Sequence, residues 1–103
     1  MQEEFELKSK PGLKFRFMKL SMIELLSLRS ICNFDNFEQT KALYTFIFEH
    51  TEVNIANQWV RFKEKGQDVY YPVGIESNVK LFDELFTYVM GKIIAPVFQK
   101  SDE

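Results

Sequence analysis

The sequence predicts an α+β fold of two antiparallel β-hairpins and three α-helices, in the order ββααββα, with a single layer of helices on a small sheet. Two segments alternate apolar and charged residues, and three longer segments place apolar residues at helical spacing. The 103 residues, 46% hydrophobic and 27% charged, are typical of one globular domain. We expect an N-terminal hairpin over 1–20, two helices over 21–50, a second hairpin over 51–72, a C-terminal helix over 75–96 and a tail over 97–103.

The first hairpin is predicted from alternation in "EFELK" and "LKFRF". Pro11 and Gly12 lie between these runs and supply the turn signal. If the apolar residues share one face, the acids of the first strand lie opposite the bases of the second. Such cross-strand ion pairs are worth roughly 0.2–1 kcal/mol each.

Two capping patterns predict the central helices. Ser21 followed by Glu24 indicates the start of the first helix, with Leu20 and Leu25 placed for a hydrophobic staple. We expect this helix to end near Cys32 and Asn33. Its apolar residues at helical spacing are Ile23, Leu26 and Ile31.

The second helix is predicted to begin at Asp35, with Glu38 at its third position, and to end near His50. It is apolar around much of its circumference. We therefore expect it to be central or to contact a neighbouring subunit.

The stretch "QWVRFKEKGQDVYYP", residues 58–72, predicts the second hairpin. Val53 and Ile55 are expected to form a short strand that leads into it, with "ANQ" as a turn or bulge. A loop over 63–66 with Gly66 in the left-handed conformation would set Trp59 opposite Tyr70 and Arg61 opposite Asp68. The predicted Trp59–Tyr70 pair then lies on the more polar face. Either a helix packs over this pair, or the pair lies in a protein interface with Arg61, since these residue types are frequent binding anchors.

The third helix is predicted to be capped by Ser77 and to be ended or kinked by Pro96. Its long apolar stripe comprises Val79, Phe82, Phe86, Val89, Ile93 and Val97, widened by Leu81, Leu85 and Met90. In the tail that follows, Val97 and Phe98 either fold back on the core or dock into another chain. Val97 and Phe98 therefore join the candidate protein-binding residues.

Charge and composition disfavour several partners. Thirteen basic and 15 acidic residues give a net charge of −2 with no basic stripe, which argues against nucleic-acid binding. No apolar run approaches the roughly 20 residues of a membrane helix. The acidic start "MQEEF" does not suggest a signal peptide, and the single Cys32 is expected to be a buried, inert thiol. We expect a reducing cytoplasm.

No motif for catalysis is visible. His50 is the only histidine, and its place near a helix end favours a structural role. No histidine–cysteine set has metal spacing, and the isolated glycines do not form a phosphate cradle. We therefore predict a protein that is not an enzyme, with no cofactor and no metal.

Four stretches carry a family resemblance: "FELK…KLSMIELLSL", "FDNFEQTKALYTFIFEHTEV", "WVRFKEKGQDVYYP" and "LFDELFTYVMGKIIAPVFQKS". With them the chain resembles, over nearly its whole length, the small tail assembly chaperones of long-tailed phages and prophages that infect Gram-positive bacteria. The helix ending in "EHTEV", the tryptophan hairpin and the terminal "APVFQKS" are its most telling parts.

The resemblance implies a non-enzymatic protein of the host bacterial cytoplasm. Such chaperones coat the tape measure protein, keep its hydrophobic helices soluble, and help to recruit tail tube protein subunits until the growing tube displaces them. They tend to self-associate, and many are made with a longer, frameshifted version. The first alternative is a structural tail-completion or connector protein retained in the virion. The second is an enzyme or small-molecule binder with a deep polar pocket.

Overall fold

The computed structural model describes residues 4–31 and 36–97. The strands and helices, in chain order, are β1 (Glu4–Leu7), β2 (Lys10–Phe17), α1 (Met22–Ile31), α2 (Phe37–Glu49), β3 (Thr51–Ile55), β4 (Gln58–Arg61) and α3 (Val79–Tyr88). A 3₁₀ turn, Ile75–Ser77, precedes α3, and a π-helical segment, Val89–Ile94, follows it. This order confirms the predicted α+β fold class.

The four strands form one antiparallel sheet in the order β1-β2-β3-β4. Because side chains alternate along a strand, the sheet has an inner face packed on the helices and an outer face of charged and polar groups. Phe5, Phe15 and Val53 lie side by side on the inner face and are buried. The core is rich in aromatic rings, with Phe15 contacting Phe62 edge-on at a centroid distance of 5.8 Å.

The first hairpin has the predicted parity but a different turn. Lys8 and Ser9 form the turn, whereas Pro11 and Gly12 lie within β2. The pairing shifts after Glu6, so the additional residues of β2 are accommodated in a bulge, and Gly12 adopts a positive φ of 85° there. The prediction that Pro11-Gly12 makes the turn was therefore wrong. The positive φ of Gly12 occurs in the bulge of β2 and not in the hairpin turn.

The helix starts follow local capping chemistry. The predicted capping box of α1 is confirmed: Ser21 N–H donates to Glu24 Oε1 at 2.9 Å, and Glu24 N–H donates to Ser21 Oγ at 3.2 Å. The cap of α2 is Asn36, whose Oδ1 accepts from two backbone N–H groups. Asp35 and Cys32 lie outside the described residues. The cap of α3 is Asn78 rather than the predicted Ser77, which ends the 3₁₀ turn.

The second hairpin lies within the predicted range of 51–72, but its turn is in the "ANQ" stretch rather than at 63–66. It pairs β3 with β4 through the two-residue turn Ala56-Asn57, and both residues have positive φ, as tight hairpin turns require. Trp59 lies opposite Asn54. Beyond β4, a single bridge joins Lys63 to Tyr70. Gly66 has the predicted left-handed conformation, with a φ of 76°, but the predicted Trp59–Tyr70 and Arg61–Asp68 pairs were wrong.

Pro96 does not end the C-terminal helix, but the helix is irregular in the turn before it. The chain stays helical over 95–97, and the irregularity lies upstream, in the π-helical segment. There Ala95 N–H bonds to Met90 O, five residues back. A proline ring clashes with the carbonyl one regular turn earlier, so the wider π geometry gives Pro96 room to continue the helix.

A candidate protein-binding cleft

An apolar cleft of about 810 Å³ opens at one end of the inner face of the sheet. Buried Phe5, Phe17 and Ile94 form its floor. One wall is Leu20 and Leu25, around the start of α1. The opposite side consists of residues from α3 and the segment after it: Tyr88, Lys92, Ile93 and Val97. The helices thus leave this end of the core uncovered.

The capping box of α1 places the Leu20–Leu25 wall. Glu24 is held by Ser21 and also accepts from His50 Nε2 at 2.7 Å, which ties the start of α1 to the end of α2. The pKa of the Glu24 carboxyl lies below its ordinary value, chiefly because the Ser21 backbone N–H donates to it and secondly because His50 does. His50 also contacts Phe46 O through Nδ1 at 2.8 Å. In this geometry His50 serves as a structural link between two helices.

The second wall depends on the contact between α3 and the first hairpin. Glu84 accepts hydrogen bonds from the Ser9 hydroxyl and from Lys8 N–H, so it clamps the β1–β2 turn onto α3. The Ser9 hydroxyl is the main reason why the pKa of the Glu84 carboxyl lies below its ordinary value. Tyr88 stacks on Phe5 with centroids 4.0 Å apart, which fixes the position of α3 over the sheet.

Beside the cleft, α1 exposes three large apolar side chains, which we call the α1 patch: Met22 (71% exposed), Ile23 (76%) and Leu26 (59%). Residues three or four apart are neighbours on a helix. The series Leu25, Met22, Leu26, Ile23 therefore continues the cleft wall onto the outer surface of α1. Of the apolar residues at helical spacing, Ile31 packs against the core whereas Ile23 and Leu26 are exposed. The fully buried residue of α1 is Leu28.

The charges at the cleft are of one sign. Lys19 and Lys92 are exposed residues of its lining, and none of the described residues that line it carries a carboxylate. Within residues 4–31 and 36–97, neither ammonium group has a carboxylate within 4 Å. The cleft is therefore an apolar surface flanked by two unpaired positive charges.

The residues predicted to bind a partner are not brought together. Trp59 lies half-buried on the outer face of the sheet, where the Arg16 guanidinium carbon is 4.2 Å from the indole centroid. Arg61 lies on the same face, and its Nη1 donates to Glu49 O at 2.7 Å. Val97 borders the cleft, 41% exposed, and Phe98 lies outside the described residues.

Tyr70 is separated from Trp59 because it joins the aromatic core. It contacts Phe82 of α3 at a centroid distance of 4.9 Å and Phe62 at 5.7 Å. Burial raises the pKa of its phenol above the ordinary value, with smaller contributions from Asp68, Glu49 and Glu76. Of the two alternatives for the aromatic residues of this segment, a covering helix thus applies to Tyr70 and not to Trp59.

One buried ion pair holds the loop that follows β4. Lys63 Nζ is 3.3 Å from Glu49 Oε2 and also donates to Gln67 O at 2.6 Å and Glu64 O at 3.3 Å. All three ammonium hydrogens therefore have acceptors, and the pair has a structural role. In the part of the chain that the structure describes, no group of three or more His, Cys, Asp or Glu residues is placed to hold a metal ion.

A comparison with protein-family models, curated proteins and solved structures finds no match for this chain. Across the described ranges, no helix combines the length and apolar character needed to cross a membrane. The cleft itself was not anticipated from the sequence. The sequence showed apolar residues on both sides of it, Leu20 and Leu25 in the predicted staple and Ile93 and Val97 in the last apolar stripe. These residues are far apart along the chain, so their spatial proximity could not be recognised from the sequence.

Proposed function

We propose that this protein is a non-enzymatic phage tail assembly chaperone that binds the tape measure protein, keeps it soluble and helps to recruit tail tube protein. Two lines support the proposal. The sequence resembles such chaperones over nearly its whole length. The observation that carries it structurally is the apolar surface formed by the cleft and the α1 patch, where Leu26 and its neighbours remain uncovered.

A chaperone of this kind needs apolar surface that is exposed but does not precipitate the protein. Contiguous apolar patches on a domain usually mark interaction sites. The surface around Leu25 and Val97 is apolar at its centre and carries lysines at its border, which is typical of a site with a polar rim. The protein would act in the cytoplasm of the host bacterium. Self-association, which the resemblance implies, would cover part of this surface between clients.

The proposal is tested by co-expression with the tape measure protein of the same phage, followed by affinity purification and a solubility assay. The variant is Val97→Asp, which places a charge at the border of the cleft. Its matched control is Val79→Asp, the same change at an exposed position (74%) at the start of α3. We expect the wild type and V79D to solubilise and co-purify the tape measure protein, and V97D to lose most of this activity.

Two further results would contradict the proposal. The first is a tape measure protein that stays insoluble and unbound with the wild-type chain. The second is an abundance of this chain in purified virions by mass spectrometry, which would favour the tail-completion or connector alternative. Trp59→Ala in the same assay tests the surface predicted from the sequence. Loss of client binding in W59A but not in V97D would move the binding site to the outer face of the sheet.

A further inference from the structure

We propose that the cleft binds an amphipathic α-helix of a partner protein, with the apolar face of that helix in the cleft and acidic residues beside it that pair with Lys19 and Lys92. This inference rests on the proposed function and specifies the chemistry of the client segment. Three observations support it: the elements that form the walls of the cleft, the extent of the apolar surface, and the charges of the lining residues.

The walls of the cleft favour a helix over an extended strand. They consist of side chains from α1, from α3 and the segment after it, and from the inner face of the sheet, where Phe5 lies on the edge strand β1 and Phe17 at the end of β2. β1 is an edge strand of the sheet, but Phe5 enters the cleft lining through its side chain on the inner face, so a segment in the cleft lies over side chains rather than along that edge. A segment in this apolar setting must satisfy its own backbone hydrogen bonds, which an α-helix does.

The size of the apolar surface also fits a helix. Leu25 lines the cleft of about 810 Å³ and is one helical turn from Met22 of the α1 patch, so the apolar surface continues from the cleft onto α1. A helix presents large side chains at i, i+3, i+4 and i+7 along one face, which suits an apolar surface that runs from a cleft onto a neighbouring helix.

The positive charges at the cleft favour an acidic helix as the binding partner. Lys19 and Lys92 flank the cleft from opposite walls. The nearest carboxylates on the bordering elements are already engaged, Glu24 by Ser21 and His50, and Glu84 by Ser9 and Lys8. Asp83 faces a neighbouring depression that Lys92 also borders. A helix with glutamates beside its apolar face would pair with both ammonium groups, whereas a basic helix would be repelled.

The test uses two synthetic peptides of about 18 residues with leucines at helical spacing. One carries glutamates beside the apolar face, and the other carries lysines at the same positions. Binding of each labelled peptide to the full chain is measured by fluorescence anisotropy at low and high salt. We expect the acidic peptide to bind more tightly, with an advantage that shrinks as salt is added.

The decisive variant is the double charge reversal Lys19→Glu/Lys92→Glu. Its matched control is Lys10→Glu/Lys80→Glu, which reverses two exposed lysines that do not line the cleft. We expect the cleft variant to lose about tenfold in affinity for the acidic peptide and to gain affinity for the basic one. The control should stay within about twofold of the wild type for both peptides. Circular dichroism verifies that both variants are folded.

Three outcomes would overturn the inference. Equal binding of both peptides, or equal effects of the two double variants, would remove the charge argument. Binding of the acidic peptide only by a chain that ends at Val97 would make residues 98–103 the occupant. A change in sedimentation on K19E/K92E without any change in peptide binding would make the occupant a second copy of the chain.

The inference and the proposed function fail in different ways. If the acidic peptide binds the cleft but the tape measure protein does not co-purify, the proposed function fails and the cleft specificity stands. If the tape measure protein co-purifies equally with K19E/K92E and the wild type, the chaperone proposal stands and the acidic-helix inference fails.

Discussion

The outer face of the sheet and the apolar cleft differ in how their side chains are paired: those of the outer face contact one another, whereas several of those in the cleft do not. On the outer face, Glu4, Arg16, Glu52 and Arg61 lie in one row across the four strands, with charges that alternate in sign. Arg16 bonds Glu52 at 2.8 Å and covers the indole of Trp59. In the cleft, by contrast, apolar side chains lie open and the lysines beside them have no carboxylate partner in the described ranges.

The difference shows that the residue type alone does not identify a binding surface. Trp59 is the only tryptophan of the chain, yet its ring already has a partner within the same sheet. The α1 patch and the Leu20–Leu25 wall of the cleft consist of ordinary aliphatic residues and Met22, but the described part of the chain leaves them without an apolar cover. What distinguishes a candidate interface here is the lack of an intramolecular contact, which depends on how the elements pack.

The largest expected effect is on stability, and it differs between the two faces of the sheet. Phe15→Ala removes a fully buried ring from the inner face and should lower the free energy of unfolding by about 3–5 kcal/mol. Trp59→Ala removes a half-buried ring from the outer face and should cost only about 1 kcal/mol. Urea denaturation followed by circular dichroism measures both values. Equal losses of stability would mean that Trp59 contributes as much as a core residue, which would contradict the distinction between the two faces.

The next effect concerns the α1 patch and client binding. Met22→Ser/Leu26→Ser should reduce the affinity for the tape measure protein by at least about tenfold, since each covered side chain would contribute on the order of 1 kcal/mol. Stability should change by less than about 0.5 kcal/mol, because both side chains are exposed in the free protein. The control is Val73→Ser/Val79→Ser, two exposed valines that do not line the cleft. A similar loss of affinity in the control would show that binding follows general apolar exposure.

A smaller effect is expected from the capping box that positions the cleft wall. The pKa of Glu24 is lower in the folded protein than its ordinary value of 4.5, so the ionised carboxylate stabilises the fold above the pKa of the unfolded chain. This contribution is lost as the pH falls through the lower, folded pKa. Glu24→Gln should therefore cost about 1 kcal/mol at neutral pH, the typical value of a helix cap.

The pH dependence separates this role of Glu24 from simple packing. The difference in unfolding free energy between the wild type and E24Q should shrink as the pH falls below about 4.5, the ordinary glutamate value. Urea unfolding at a series of pH values measures it. A difference that is the same at acidic and neutral pH would contradict the electrostatic account of the cap.

The smallest effect is expected at the Arg16–Trp59 contact. Arg16→Met keeps an unbranched apolar stem but removes the ion pair to Glu52 and the cation over the indole. We expect a cost of about 0.5–1 kcal/mol that decreases at high salt, together with a change in tryptophan fluorescence. Lys14→Met is the control, since its 3.8 Å ion pair with Glu4 is exposed and should contribute almost nothing. If tape measure binding in the wild type shifts the Trp59 emission, the outer face also contacts the client.

The predictions from sequence succeeded where the signal was local. The alternation around Phe5 and Phe15 identified the inner face of the first hairpin, and Ser21 with Glu24 identified the start of α1. Capping and alternation depend on residues close together in the chain, so they can be recognised without the rest of the fold.

The predictions failed where two local patterns competed. The loop at Gly66 was predicted to set Trp59 opposite Tyr70, but Tyr70 is bridged to Lys63, and Trp59 instead lies opposite Asn54 across the turn Ala56-Asn57. That turn lets β4 pair with β3, and the buried Lys63–Glu49 contact then anchors the following loop. In the same way, both Leu28 and Ile23 fit a helical period, and only contacts with the neighbouring elements determine which one is buried.

The sequence by itself determined the fold class, the order of the elements, the inner face of the first hairpin and the cap of α1, because each follows from propensity, alternation or capping over a few residues. Only the tertiary structure decided that Tyr70 is covered by α3, that Trp59 is paired with Arg16, and that the cleft stays open. The physical reason is that exposure is a property of packing: it depends on which distant elements meet, and a short stretch of sequence does not contain that information.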